Sequence, residues 1–307
     1  MPKIIFFGTQ HFGAGMLDAL IDSKQYEIAA IVTQPDRPVG RAHEIEMSPV
    51  KKLALARGIK TILQPETLKN FTETTKLPEA DAFVVCQYGL IIPQAVLDLP
   101  KKGTINVHTS LLPKYRGASP IQTALINGET ETGVTIMLMD AKMDHGPILA
   151  QENILITADD TAVTLAEKMI PIAKKLLIQT LAGWLNGMVS PQEQNHTKAT
   201  LCTTLSRADG KLNFSKTASE LYNMYRGTYL WPGVWTTWKG KRLKLLNIRP
   251  SDRPGKPRQA IIDQKKILVG AAYGSLEVRE LQLEGKKAMS TEQFIAGYPD
   301  FNNATLE

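Results

Sequence analysis

The sequence predicts an α/β protein: a doubly wound, mostly parallel sheet followed by a small antiparallel β-barrel. Three observations carry this. Apolar strand-like runs alternate with helix-length segments up to about Gly187, the order that builds parallel sheets. Periodicity then lapses, and Ser190-Pro-Gln-Glu-Gln-Asn-His-Thr-Lys198 reads as polar linker. Beyond about Ser206 come short strand-like runs punctuated by Gly, Pro and Asp, a rhythm that suits a small barrel. The expected organisation is a first domain over residues 1–189, a linker over 190–205 and a second domain over 206–307.

The elements follow in order. Residues 3–7 form a buried strand, residues 12–21 a helix and residues 27–33 a second strand. Ser48-Pro49 opens a helix, the serine as N-cap and the proline at the first helical position. Strands are expected at 60–63, 81–86 and 104–108, a helix from Ser119-Pro120 to Gly128, and an apolar strand at 133–139. Asp160 or Thr161 caps a long helix that ends near Gly187. In the last third a helix over 218–226 precedes strands at 234–238, 242–247, 259–263, 266–269 and 275–281. Ser290-Thr-Glu-Gln293 fits a capping box for a final short helix.

Composition excludes several classes. Hydrophobic residues make up 43% and charged residues 21% of the 307, ordinary values for a globular protein. Only Cys86 and Cys202 are present, far apart, so no disulfide framework or zinc site is expected. The apolar uncharged run over residues 82–97 is broken by Gln87, Gly89 and Pro93 and is too short to cross a bilayer. No signal-peptide pattern is seen, and a cytoplasmic, monomeric protein without membrane attachment is expected. The chain carries 36 Lys and Arg against 30 acids. From Ser206 onward the count is seventeen against ten, leaving nineteen against twenty before it. The basic excess therefore lies wholly in the last third, densest around Lys239, Lys241, Arg242, Lys244, Arg249, Arg253, Lys256 and Arg258. Such a stretch favours a polyanion or is simply a solvated face.

Potential chemistry concentrates between Asn106 and Asp144. On a strand over 103–108, Asn106 and His108 alternate with Ile105 and Val107, so their side chains share a face. They fall at the strand's C-terminal end, where open parallel sheets bind ligands. An amide donor and an imidazole beside a carboxylate suit a carbonyl carbon attacked by an amine. Negative charge must be held on oxygen and the amine proton must be moved. Asp144 follows the apolar strand in a turn with Gly146-Pro147. It is either plain turn chemistry or, if adjacent strand ends bring it to His108, the third member of the group. His145 is expected to point elsewhere. Ser110-Leu-Leu-Pro113 could plug the core or wall a flat heterocycle, and Arg116 could hold that loop or meet an anion. Trp231, Trp235 and Trp238 could stack on bases, although at least two are expected in the core. Gly8, Gly13 and Gly15 have the wrong spacing for a dinucleotide fingerprint, and no acid ends the second strand.

Asn106-Val-His108, Ser110-Leu-Leu-Pro-Lys-Tyr-Arg-Gly-Ala-Ser-Pro120, Glu131-Thr-Gly-Val-Thr-Ile136 and Met139-Asp-Ala-Lys-Met-Asp144 together resemble the 10-formyltetrahydrofolate-dependent formyltransferases. Gln34-Pro-Asp-Arg-Pro-Val-Gly-Arg41 and the basic stretch from Gly240 to Lys244 narrow the resemblance to enzymes that formylate methionyl initiator tRNA, over essentially the whole chain. The resemblance implies a Rossmann-like catalytic domain followed by an OB-like barrel. It implies Asn106, His108 and Asp144 as the catalytic trio. It also implies a 10-formyltetrahydrofolate pocket from Ser110, Leu111, Leu112 and Pro113 with Gln87, Tyr88, Gly89 and Leu90, and no metal. Arg41 would meet the acceptor end of the tRNA, and Lys241, Arg242, Lys244 and Arg249 would belong to its wider contact surface. After Arg41 the loop reads Ala-His-Glu-Ile-Glu46, where such enzymes often carry lysines. Two acids near phosphates repel them, so more affinity is expected from the C-terminal stretch. The nearest alternative is the same chemistry on an amino-sugar nucleotide.

Overall fold

A computed structural model of the chain describes residues 1–39, 44–69, 71 and 77–307. Cα packing resolves two compact units. One comprises Met1–Pro120, Glu131–Leu155 and Ala166–Cys202; the other comprises Ile121–Thr130, Ile156–Leu165 and Thr203–Glu307.

The first unit begins with strand β1 (Lys3–Gly8), helix α1 (His11–Asp22) and β2 (Glu27–Val32). A short antiparallel pair, β3 (Arg37–Val39) and β4 (Glu44–Glu46), leads to α2 (Pro49–Ala56). The expected cap is present, with Ser48 Oγ accepting from the Lys51 amide at 3.1 Å. Then come β5 (Ile62–Leu63), β6 (Ala82–Cys86), α3 (Gln94–Leu97), β7 (Thr104–His108) and β8 (Arg116–Gly117), followed by α4 (Pro120–Ile126), which beyond Pro120 belongs to the second unit. After α4 run β9 (Glu131–Leu138), β10 (Ile148–Leu155), α5 (Ala162–Leu185) and β11 (Leu201–Cys202).

The main sheet has the order β10-β9-β7-β6-β1-β2-β5. From β7 to β5 every pairing is parallel, whereas β9 lies antiparallel to β7 and β10 antiparallel to β9. The central strands are apolar along their length because helices and loops cover both faces, as the all-buried pattern of β6 shows. Strand β10 was not expected. Its Gln151-Glu-Asn153 centre is polar and the strand is mostly open on one side, so it lacks the alternation that marks a strand in sequence.

The second unit carries α6 (Ala218–Gly227), β12 (Val234–Trp238), β13 (Lys241–Ser251), β14 (Ala260–Asp263), β15 (Lys266–Gly270), β16 (Ser275–Leu283), β17 (Met289–Ser290) and α7 (Thr291–Gly297). Both helices open with complete capping boxes, Thr217 with Glu220 and Ser290 with Gln293. The strands form one antiparallel sheet, β12-β13-β16-β15-β14, with β17 on β16. The expected small β domain is present, but strand pairing does not close it: the edge strands β12 and β14 do not pair with each other. The chain's last residues reach both edges instead. Ala260 N–H donates to Ala304 O at 2.8 Å and Leu306 N–H to Arg258 O at 2.9 Å, while Thr237 and Glu307 exchange bonds at 3.0 Å. Inside, Leu243, Leu245, Val278 and Leu281 pack with Trp238, Phe294 and Phe301. Trp238 meets Phe301 edge-on at 4.9 Å, a favoured aromatic geometry.

Candidate active site

Strand β7 ends at the C-terminal edge of the parallel core, with β9 antiparallel beside it. The register sets Asn106 opposite Met137 and His108 opposite Thr135. The turn between β9 and β10 carries Asp144 back over the end of β7. Gly146 makes that turn possible, because a Cβ there would collide with the carbonyl of Leu138. Asp144 is in the left-handed region, φ +47°, which costs a non-glycine residue on the order of 1–3 kcal/mol.

That strained residue delivers its carboxylate to a defined place. Asp144 Oδ2 accepts the Gly117 N–H at 2.8 Å, and Oδ1 accepts from Asn106 Nδ2 at 3.3 Å. His108 Nδ1 lies 3.6 Å from Oδ2. His108 is 5% exposed, and its Nε2 is 3.0 Å from Tyr115 O. A carbonyl only accepts, so Nε2 carries a proton and Nδ1 is the nitrogen that faces the carboxylate. The second hydrogen on Asn106 Nδ2 has no protein acceptor among the described residues, and Asn106 is half-buried rather than sealed. The three residues singled out in the sequence therefore meet, with one amide donor to spare for an incoming oxygen.

The polar stretch expected to be a linker is tied to this corner. Strand β11 pairs in parallel with β8, and Gly117, at φ +121°, lies against Cys202 O. Gln194 is 5% exposed. Its Nε2 donates to Asp144 O at 2.9 Å and Gly146 O at 2.7 Å, and its Oε1 accepts from Arg116 Nε at 3.1 Å and Nη2 at 2.7 Å. Arg116 Nη2 also reaches His196 Nδ1 at 2.8 Å. The His196 ring stacks on His145 at 4.1 Å, and His145 Nδ1 contacts Asp140 Oδ2 at 2.7 Å. His145 does turn away from His108, as expected. Gln194 carried no sequence signal, because one Gln in a polar run looks like any solvated residue.

Residues 110–113 form a pegged corner. Ser110 is fully buried and Leu112 is 3% exposed. Thr135 Oγ1 donates to Ser110 O at 2.6 Å and accepts the Leu112 N–H at 3.2 Å, while Gln151 Nε2 donates to Leu112 O at 2.9 Å. Leu112's backbone polar groups are thus spent internally. Leu111 and Pro113 keep partly exposed apolar surface for a ligand. Gln87, Tyr88, Gly89 and Leu90 follow β6, the parallel neighbour of β7, so their loop leaves the sheet at the same edge. Gln87 and Gly89 both have positive φ, +48° and +83°. Tyr88 O accepts from Thr9 Oγ1 at 2.9 Å and Gln34 Nε2 at 2.8 Å. The Tyr88 hydroxyl is buried with no hydrogen-bond partner, and burial pushes the phenol up to about 12. The Tyr88 ring lies in the apolar core with Phe83 and edge-on to Phe7 at 5.5 Å, so it anchors the loop from beneath. With the apolar surface of Leu111 and Pro113, the residues fit a folate.

Arg41 lies outside the described residues. Beyond it, Glu46 pairs with Lys52 at 3.5 Å, so one of the two acids expected to repel phosphate is partly neutralised. In the second unit Lys241, Arg242 and Lys244 are exposed on β13 and have no carboxylate partner in the described residues. Arg242 lies 4.5 Å over the half-buried Trp235 ring, and Trp231 is 56% exposed. Trp238 is the indole clearly in the core. Arg249 differs: it bonds Asp159 at 3.0 Å, contacts the Tyr222 hydroxyl and stacks over that ring.

Comparison with known proteins agrees with this architecture. The formyl transferase family model matches residues 2–181, and the model described as "Formyl transferase, C-terminal domain" matches residues 204–299. The chain belongs to the formyl transferase family. It is 41% identical over 304 residues to the methionyl-tRNA formyltransferase of Acidobacterium capsulatum, covering 96% of each chain. The methionyl-tRNA formyltransferase of Thermodesulfovibrio yellowstonii is also 41% identical, over 296 residues covering 96% of this chain and 95% of its own. Within the family the chain stands with the methionyl-tRNA formyltransferases. Among solved structures, an N-formyltransferase from Helicobacter canadensis, crystallised with folinic acid and dTDP-3-aminofucose, superposes with a TM-score of 0.66. It is 20% identical and covers 91% of this chain and 99% of its own, a likeness of fold. No helix among the described residues is long and apolar enough to cross a membrane.

Proposed function

We propose that this protein transfers a formyl group from 10-formyltetrahydrofolate to the α-amine of methionyl initiator tRNA, acting as a cytoplasmic monomer. The observation that carries the reading is the meeting of Asn106, His108 and Asp144 in a chain of this family, with the carboxylate 3.6 Å from His108 Nδ1 and 3.3 Å from Asn106 Nδ2. The folate, when bound, supplies the electrophilic formyl carbon on N10. Asn106 donates its uncommitted amide hydrogen to the oxygen on which charge develops, a form of preorganised electrostatic stabilisation. His108 is anchored through Nε2–H to Tyr115 O, so Nδ1 is the position at which it exchanges a proton. Asp144 stabilises positive charge on that ring and takes part in moving the amine proton to the leaving nitrogen. Gly117 N–H holds the carboxylate while this happens. Leu111 and Pro113 wall the folate site, and the loop of residues 87–90, anchored through Tyr88, borders it. Lys241, Arg242 and Lys244, together with Arg41, bind tRNA phosphates.

Acceptance of an amino-sugar nucleotide is the competing reading. Its support is a fold likeness at 20% identity, whereas the unpaired cations of β13 favour a polyanion. The test incubates the protein with 10-formyltetrahydrofolate and either methionyl initiator tRNA or amino-sugar nucleotides. Mass spectrometry then identifies the formylated product. Formyl gain on tRNA alone is expected, and gain on the sugar alone overturns the reading.

A further inference from the structure

Asp144 occupies the left-handed region, uncommon for a residue other than glycine, and its carboxylate already uses the donors of Gly117 and Asn106. Its main chain is held from the opposite side. Gln194 Nε2 bridges Asp144 O at 2.9 Å and Gly146 O at 2.7 Å, spanning the turn on both sides of His145. The orientation of this amide is unambiguous. Both groups facing Nε2 are carbonyls, which only accept, and both groups facing Oε1 belong to a guanidinium, which only donates. Arg116 therefore fixes Gln194, and Gln194 fixes the turn. Arg116 is 7% exposed, is fixed in turn by His196, and has no carboxylate partner among the described residues.

We infer that Gln194 is a positioning residue for formyl transfer: clamped by Arg116, it holds the 144–146 backbone in the left-handed turn that aims the Asp144 carboxylate at His108 and Asn106. The inference rests on the proposed role of Asp144. Gln194 touches no reacting atom in this scheme, so its effect passes through Asp144 alone. A misplacement of an ångström or less at such a group costs about 10- to 100-fold in turnover.

Gln194→Glu is the sharpest probe, since it keeps an oxygen for Arg116 and replaces the donor to both carbonyls with a second acceptor. Gln194→Ala is its companion. Full-length protein is assayed with 10-formyltetrahydrofolate and methionyl initiator tRNA, and thermal melting confirms folding. Both variants are expected to lose about 10- to 100-fold in kcat while KM for each substrate stays within about twofold. In an Asp144→Ala background the same changes are expected to alter the residual rate by less than about twofold, because two residues acting as one unit are not additive. Unchanged kcat in folded Gln194→Glu overturns the inference, as does an equal loss with and without Asp144, the signature of a merely structural role. If Asp144→Ala itself keeps full turnover, the reading of Asp144 has failed and this inference with it.

Discussion

The corner at the end of β7 and the outer face of β13 represent opposite ways of using polar residues. At the corner, His108, Ser110, Thr135 and Gln194 are nearly or fully buried, and each has at least one hydrogen bond between 2.6 and 3.2 Å. On β13, Lys241, Arg242 and Lys244 are exposed and carry no carboxylate partner in the described residues. Buried groups act by fixed geometry, since an unpaired donor or acceptor there is costly. Exposed cations act by summed charge, which tolerates imprecise placement but is screened by salt. Losing one member of the corner should therefore be severe and specific. Losing one member of the face should be mild and salt-sensitive.

The largest effect expected is on turnover. Asn106→Ala, His108→Ala and Asp144→Ala should each lower kcat by about 10²–10³-fold with tRNA affinity almost unchanged, measured by single-turnover formylation beside filter binding. Near-normal turnover of His108→Ala would remove the corner from the mechanism. On the basic face, the double change Arg242→Glu with Lys244→Glu should leave single-turnover chemistry intact at saturating tRNA. It should weaken binding about tenfold or more, and the slope of log K against log salt should fall by about one for each phosphate no longer neutralised. An unaltered slope would show that β13 does not meet phosphates. Within the same region Arg249→Ala should matter less for tRNA than either, because its guanidinium is already engaged with Asp159 and Tyr222.

Two stability measurements sharpen the contrast further. Thr135→Val keeps the shape and removes a hydroxyl that serves Ser110 O, the Leu112 N–H and Gln151. Urea denaturation should show a loss of about 1–3 kcal/mol, and a neutral result would mean that the corner repacks freely. The smallest effect involves Asp36, whose carboxyl is held below its ordinary value by hydrogen bonds from Lys51 and Gln64. A depressed carboxyl contributes stability above its unfolded pKa and loses it as pH falls through the folded value. Asp36→Asn should therefore be less stable than the parent above roughly pH 4 and converge with it in stronger acid.

Much of this was legible from residue order. Strand β7 was expected over its whole observed length, and the alternation of Asn106 and His108 with Ile105 and Val107 put both on one face. Caps at Ser48 and Ser290 are local hydrogen bonds between residues three apart, so short patterns disclose them. Strand β10 escaped because an edge strand with one open face need not be apolar. Whether the small β domain closes was not legible, because strands look the same in sequence whether or not their edges join. Here the terminal residues 304–307, not strand pairing, reach both edges.

By itself the sequence determined what depends on neighbours along the chain: the alternation of strands and helices, the caps, the shared face of Asn106 and His108, and the charge imbalance of the last third. The tertiary structure decided what depends on distant segments meeting. Asp144 reaches His108 across 36 positions because β9 runs antiparallel to β7 and Gly146 lets the turn fold back. Gln194 closes the corner from a stretch with no periodicity at all. Hydrogen bonds between remote segments leave no periodic trace, since each needs only one residue of the right kind arriving at the right place.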